Sequence, residues 1–315
     1  MDQLKNTLRE NIPLATLVAL VVLVGAINPG FFTISTLLVL VSDTMTLFLM
    51  AAGATFVILM GGIDLSIQGV ASMASVILAV LLPELGYLAV VAATLAGVLA
   101  GLLGGLSHTR LTIPSFIATL AISGVVTTVA YWLSDARSVN IPGSRAAGNL
   151  SWITGVTFGI NNEILVGLVV LAVLLFVQNR TPFGRLCRAI GSGERAVIAS
   201  GIKVERIKIA AFCLSGAMAA LAGVVMAARL GSGSPTLANE FLLPAVAAIV
   251  AGGTALTGGV GSVWQTFIGA LIIGVVRIGM TFIGVSVFAQ QIVFGVVLIA
   301  AVAATIDRTR IGTVK

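Results

Sequence analysis

Ten apolar stretches, each roughly 15 to 22 residues long, follow one another along this chain with few charges inside them. A helix needs about 20 apolar residues to cross the hydrocarbon of a bilayer. In lipid every backbone polar group must find its partner inside the protein. A chain built this way can therefore fold only as a helical bundle around which lipid packs. The expected class is all-α, a polytopic membrane helix bundle of about ten transmembrane helices forming one domain over residues 1–315. The expected spans lie near 13–28, 43–60, 66–83, 86–106, 114–134, 163–178, 209–229, 240–256, 262–283 and 286–305. Residues 33–42 read as a separate short interfacial helix capped by Thr33 or Ser35.

Composition supports the same solvent. Hydrophobic residues make up 58% of the chain and charged residues 9%, against about 25% charged in a soluble domain. Disorder and a fibrous repeat are both excluded. The 36 glycines suit helices that approach closely in lipid. MDQLKNTLRE before the apolar run from Pro13 to Ile27 has the outline of a secretory signal. No small-x-small cleavage site follows it, so a retained first span is expected. Cys187 lies in a basic loop and Cys213 inside a span, which argues against a structural disulfide.

Positive charge is concentrated at Asn179 to Lys208, which holds seven of the seventeen Lys and Arg residues. With the N-terminus in the cytoplasm, the loops at 107–112 and 179–208 and the C-terminus fall on that same side. Lys5, Arg9, Arg110, the seven loop residues, Arg308, Arg310 and Lys315 are then cytoplasmic, leaving Arg137, Arg145, Arg229 and Arg277. The positive-inside rule accounts for this excess, so nucleic acid is not an expected partner. The longest outward loop runs from Asp135 to Asn162, after Tyr131 and Trp132 at the expected aromatic belt.

Within the basic loop, Thr181 and Pro182 form a helix start. Phe183, Leu186 and Ile190 make one apolar stripe, with Arg185 and Arg188 off it. Gly191 is expected to end that helix. Ser192 would cap a second one, with Glu194 in its first turn, Arg195, Ala196, Ala199 and Ser200 along it, and Gly201 as its stop. Such a knob can insert into a cleft on another protein. The plainer alternative is a positive-inside loop whose arginines touch anionic membrane lipid.

Three further features mark a translocation path or close packing. In GGIDLS, Gly61 and Gly62 break a helix and place Asp64 and Ser66 at the start of the third span. A lone carboxylate there needs partners, either as a helix cap or beside the path. The segment 242–262 carries Gly252 and Gly253 and a second glycine pair, consistent with a broken helix or with tight packing. GGIDL at 61–65 and GGTAL at 252–256 share a frame, the only hint of duplication. Asp43 and Arg277 are expected to face the protein interior, and His108 reads as an ordinary loop residue. No phosphate-binding glycine loop, HExxH, CxxC or GxSxG site occurs, so ATP hydrolysis and enzymatic chemistry are not expected of this chain, nor is a cofactor.

FVILMGGIDLS (56–66), TIPSFIATLA (112–121), the run from Thr181 to Ile209, AGGTALTGGVGS (251–262) and FIGALIIGVV (267–276) together resemble inner-membrane permease subunits of bacterial ABC importers for simple sugars, the ribose, xylose, arabinose and galactose type. The resemblance spans about residues 45 to 308. It implies a permease in the bacterial inner membrane that pairs with a second permease subunit, identical or different. It further implies that sugar arrives from a periplasmic binding protein and that a cytoplasmic ABC ATPase drives alternating access. The docking helix for that ATPase falls on Ser192 to Gly201. Glu194, Arg195 and Ala196 resemble the E-A-A loop of ABC importers, with Arg195 in place of the first alanine. The rival readings are an ion-coupled secondary transporter using Asp43 and Asp64, a passive channel or scaffold, and an ABC permease for a nucleoside or branched-chain amino acid.

Overall fold

The computed structural model describes residues 2–143 and 148–305. Arg145, Arg308, Arg310, Lys315 and the C-terminal end, all placed by the charge argument, lie outside the described residues, as do the side chains of Lys5 and Arg9. Twelve helices are assigned among the described residues: α1 (Asp2–Ile27), α2 (Ile34–Leu59), α3 (Ile67–Leu85), α4 (Leu88–Arg110), α5 (Ser115–Leu133), α6 (Ser151–Thr154), α7 (Asn162–Arg180), α8 (Pro182–Ala199), α9 (Val204–Leu230), α10 (Leu242–Ala251), α11 (Val263–Phe282) and α12 (Val287–Thr305). Seven of these, α2 to α5, α7, α9 and α11, are long and apolar enough to cross a membrane; the apolar stretches 12–27, 239–251 and 289–299 are shorter.

Helix α2 is the axis of the bundle, with almost every residue from Met45 to Leu59 buried. Residues 33–42 are not a separate interfacial helix: Thr33 does cap a helix, but that helix is α2 itself, running unbroken for 26 residues. Nothing between Ile34 and Leu59 interrupts it, since its glycine, Gly53, is needed where α2 crosses α9. A methyl group there would press on the backbone of Ser215 at 2.8 Å.

Helix α9 lies against α2, α3 and α4, and small residues make the fit. A side chain at Gly97 of α4 would overlap the backbone of Gly216, and one at Gly101 would overlap the carbonyl of Phe212. The helices touch backbone to backbone, as small residues allow in lipid. Outside this core, α4, α5 and α7 turn Leu95, Leu99, Leu103, Leu120, Val169, Val173 and Phe176 outward. These apolar faces are what lipid requires.

The span expected at 240–256 is broken. Helix α10 has 10 residues, about 15 Å or half the hydrocarbon thickness. Before it, residues 231–241 run as a two-residue strand, turns and one 3-10 turn at Asn239–Phe241. Their amides are held by α3: Ser75 Oγ accepts from Ser234 N at 3.1 Å, and Ser72 Oγ from Ala238 N at 3.0 Å. At the same end of the bundle, short two-residue strands pair Val139–Asn140 with Ser232–Gly233 and Val156–Thr157 with Ile160–Asn161.

Candidate functional site

At the other end of the bundle three backbone segments meet without intervening side chains. Helix α2 stops because Gly61 adopts φ +79°, letting Gly61 N donate to Ile58 O and Gly62 N to Val57 O at 2.8 and 3.0 Å. The turn between α10 and α11 brings Gly258 and Gly259, with φ +86° and +80°, over this stop. Gly259 N then donates to Leu59 O at 2.8 Å. Gly191 of α8 closes the junction: a methyl group at this position would overlap both Leu59 O and Gly259 N. Any side chain here would separate the three segments.

The first part of α8 is anchored to this junction. Thr181 Oγ1 accepts from Gly184 N, and Pro182 follows it, as the sequence predicts. Phe183 stacks on Phe56 of α2 with centroids 5.6 Å apart, while Cys187 and Ile190 are fully covered. Burial pushes the Cys187 thiol up to about 12. Gln178, fully buried at the end of α7, accepts from Val263 N at 3.0 Å, which links the corner before α8 to the start of α11.

The break in α8 falls at Gly193 and not at Gly191. Ser192 does not cap a new helix either; its hydroxyl donates back to Arg188 O at 3.0 Å. The reason is the junction: Gly191 is held inside helical packing, so the chain turns two residues later, where a side chain would meet nothing. Beyond the turn a short helical knob projects. Arg195, Ala196, Ala199 and Ser200 are exposed, and Ile198 is 55% exposed although apolar. Glu194 Oε1 holds Lys208 Nζ at 2.7 Å, bracing the knob against the start of α9. Gly201, with φ +79°, closes it as its amide donates to Ile198 O at 2.9 Å.

From the same junction, residues 61–66 run as irregular chain into the bundle. Ile63 N donates to Ser115 Oγ at 3.0 Å and Leu65 N to Thr119 Oγ1 at 2.9 Å. Asp64 is 3% exposed; its Oδ1 accepts from Ser66 N at 2.9 Å and from Ser66 Oγ at 2.6 Å. The Ser215 hydroxyl faces the same carboxyl. Asp64 thus stabilises the turn into α3 through one backbone amide and one hydroxyl.

Gly252 packs against the carbonyl of Gln265, and Gly253, at φ +100°, ends α10 with Thr254 N donating to Ile249 O. This is the motif that ends α2, yet it aligns Gly253 with Gly61, one residue away from the shared GGxxL frame. The frame therefore does not mark equivalent positions. Asp43 and Arg277 do not pair. Asp43 takes Arg229 at 2.5 Å, and Arg277 stacks over Phe241 at 5.4 Å. His108 Nδ1 lies 2.8 Å from Ile113 O, tying the end of α4 to the chain before α5.

Sequence reasoning missed Gln178, Ser115, Thr119 and Phe56. Hydroxyls one turn apart at the start of an apolar helix were a usable signal for Ser115 and Thr119. For Phe56 and Gln178 no local pattern existed, because their partners lie far along the chain.

The chain is thus a multi-pass helical bundle with a broken helix at its core and one projecting knob. The family described as branched-chain amino acid transport system / permease component matches residues 33–302. The chain is 38% identical over 293 residues to the ribose import permease protein RbsC of Bacillus subtilis, covering 92% of this chain and 90% of that one. It is 36% identical to the probable ABC transporter permease protein YphD of Escherichia coli K12, covering 96% and 91%. Identity to the L-arabinose transport system permease protein AraH of Escherichia coli K12 is 37%, covering 81% and 77%. The chain belongs to this family of ABC transport permeases; it is a transport subunit and not an enzyme.

Proposed function

We propose that the chain is the permease of an ATP-driven importer for a monosaccharide. Its relatives named for ribose and arabinose, matched over most of their length, support a sugar over an amino acid. In this reading the N- and C-termini and the knob lie in the cytoplasm and about ten helices cross the membrane, the short α10 being completed by the chain before it. A periplasmic binding protein delivers the sugar, a second permease subunit completes the path, and a cytoplasmic ABC ATPase docks on residues 192–201.

One observation carries the mechanism. The exposed knob connects through Gly191, by backbone contact, to the end of α2 and to the turn that joins α10 to α11. A push on Arg195, Ala196 or Ile198 is therefore delivered to two helix breaks at once. Gly61, Gly62, Asp64 and Ser66 follow one break, and Gly252 and Gly253 precede the other. Moving both together is how closure of the ATPase opens one side of the path and shuts the other. Because both sites bias the same two-state element, ATP binding and sugar passage are coupled.

The test is to place cysteine at Ala196 or Ile198 and crosslink the assembled importer in proteoliposomes. Capture of the ATPase subunit, together with ATP-dependent sugar uptake that survives collapse of the proton gradient, is expected. Uptake that follows the proton gradient instead would leave the ion-coupled reading standing.

A further inference from the structure

At the end of the bundle opposite the knob, a cavity of about 240 Å³ opens between α2, α6, α7 and α9. Val39, Ser42, Thr154, Asn161, Glu163 and Arg229 line it, together with Ile153. We infer that this cavity is a receiving site for one neutral polyhydroxylated ligand, a monosaccharide, on its way into the permease. The inference rests on the sugar-importer reading above and adds a location and a chemistry to it.

The cavity is built and polar. Glu163 is 6% exposed, yet its Oε2 accepts no hydrogen bond among the described residues. The nearest cation, Arg229 Nη1, stands 3.8 Å away, too far for a hydrogen bond. That guanidinium is already committed to Asp43. A buried carboxylate oxygen without a donor is costly unless something supplies one. Beside it, Ser42 is 1% exposed and accepts from Asn161 Nδ2 at 3.0 Å, which leaves its own hydroxyl proton free to donate. The side-chain oxygen of Asn161 adds an acceptor, and Thr154 spends its proton on Leu150 O, leaving its lone pairs.

The ligand class follows from this inventory. Two carboxyl groups face one guanidinium, so the formal balance is one negative charge. An anionic ligand would be set beside Glu163 with only an arginine already taken by Asp43 to receive it. A sugar brings no charge. Each of its hydroxyls donates once and accepts as well, which matches a wall that mixes an unfilled carboxylate oxygen with hydroxyl and amide groups. Val39 and Ile153 offer apolar surface to the C–H face of the ring.

The test uses the complete importer in proteoliposomes, carrying C187A and C213A, with Thr154→Cys as the reporter. A membrane-impermeant sulfonated maleimide is added from outside, with D-ribose, with L-leucine or with neither. Uptake of radiolabelled ribose is measured on the same vesicles. The expected result is several-fold slower modification with ribose, none with leucine, and loss of ribose protection in Glu163→Gln. Should Thr154→Cys not assemble, Val39→Cys reports from the facing wall. Ribose uptake without protection at either position overturns the cavity while leaving the importer reading intact. Protection by leucine but not ribose overturns the ligand class. Failure to take up any monosaccharide removes the importer reading, and the cavity assignment falls with it.

Discussion

The amide of Gly259 donates to the carbonyl oxygen of Leu59 at 2.8 Å, although the two residues are 200 positions apart. Leu59 is the last residue of α2, and Gly259 sits in the turn before α11. The bond leaves room for one more backbone strand against it, and Gly191 fills that room.

Gly191→Ala is therefore expected to force these segments apart, at about 1–3 kcal/mol as overpacking usually costs. Its melting midpoint in detergent should drop, and sugar uptake should fall more than ATP hydrolysis in the assembled importer. Gly193→Ala is the matched comparison. Its φ of 177° is open to any residue and nothing stands within 4 Å, so both readings should stay at wild-type level. Equal effects of the two substitutions would remove the junction from the mechanism.

Gly201→Pro should leave the protein in the membrane but separate ATP hydrolysis from uptake. Proline cannot adopt φ +79° and has no amide to donate to Ile198 O. Gly201→Ala keeps that amide and meets no neighbour, at a conformational cost of roughly 1–2 kcal/mol. Most uptake should survive it. Normal coupled uptake in the proline variant would count against docking at the knob.

The all-helical class, the position of most apolar helices and the helix start at Thr181 were legible because each depends on local pattern: apolar length, a capping hydroxyl, a proline. The break at Gly193 was not. Gly191 reads as a helix stop, but its glycine serves contact with Leu59 and Gly259, which no local pattern records. The same holds for α10. Its apolar run through Ala251 looks like a full span until Ser72 and Ser75 are seen holding the irregular chain before it. Asp43 is part-exposed, and its partner Arg229 could not be chosen over Arg277 without the fold.

At Asp64, alanine and asparagine should part company. Asp64→Ala leaves the Ser66 amide and hydroxyl buried without an acceptor, at about 1–3 kcal/mol for each group stranded. Asp64→Asn keeps the accepting oxygen and points its amide toward Ser215. Thermal melts in detergent should show a clear loss for alanine and little for asparagine. Matching losses would mean that charge, and not the hydrogen bonds, is what the turn requires.

Cys187 should resist alkylation at pH 8 in the folded protein and react freely once the protein is unfolded. Its thiol ordinarily ionises near 9.0, and burial moves this to about 12. Above pH 9 the unfolded chain loses that proton while the folded one keeps it. The stability contributed by the buried thiol is therefore intact below pH 9 and declines as pH climbs toward 12. Mass spectrometry of the labelled protein checks the first statement. Comparing the alkaline stability of wild type with Cys187→Ala checks the second.

Ser115 and Thr119 receive the amides of Ile63 and Leu65 from one face of α5, a single helical turn apart. That spacing is about 6 Å along the helix. A slide of the 61–66 segment by half that distance would leave both amides between acceptors. Two hydroxyls therefore hold the segment at one setting along α5, and a shift along the helix must break both bonds together.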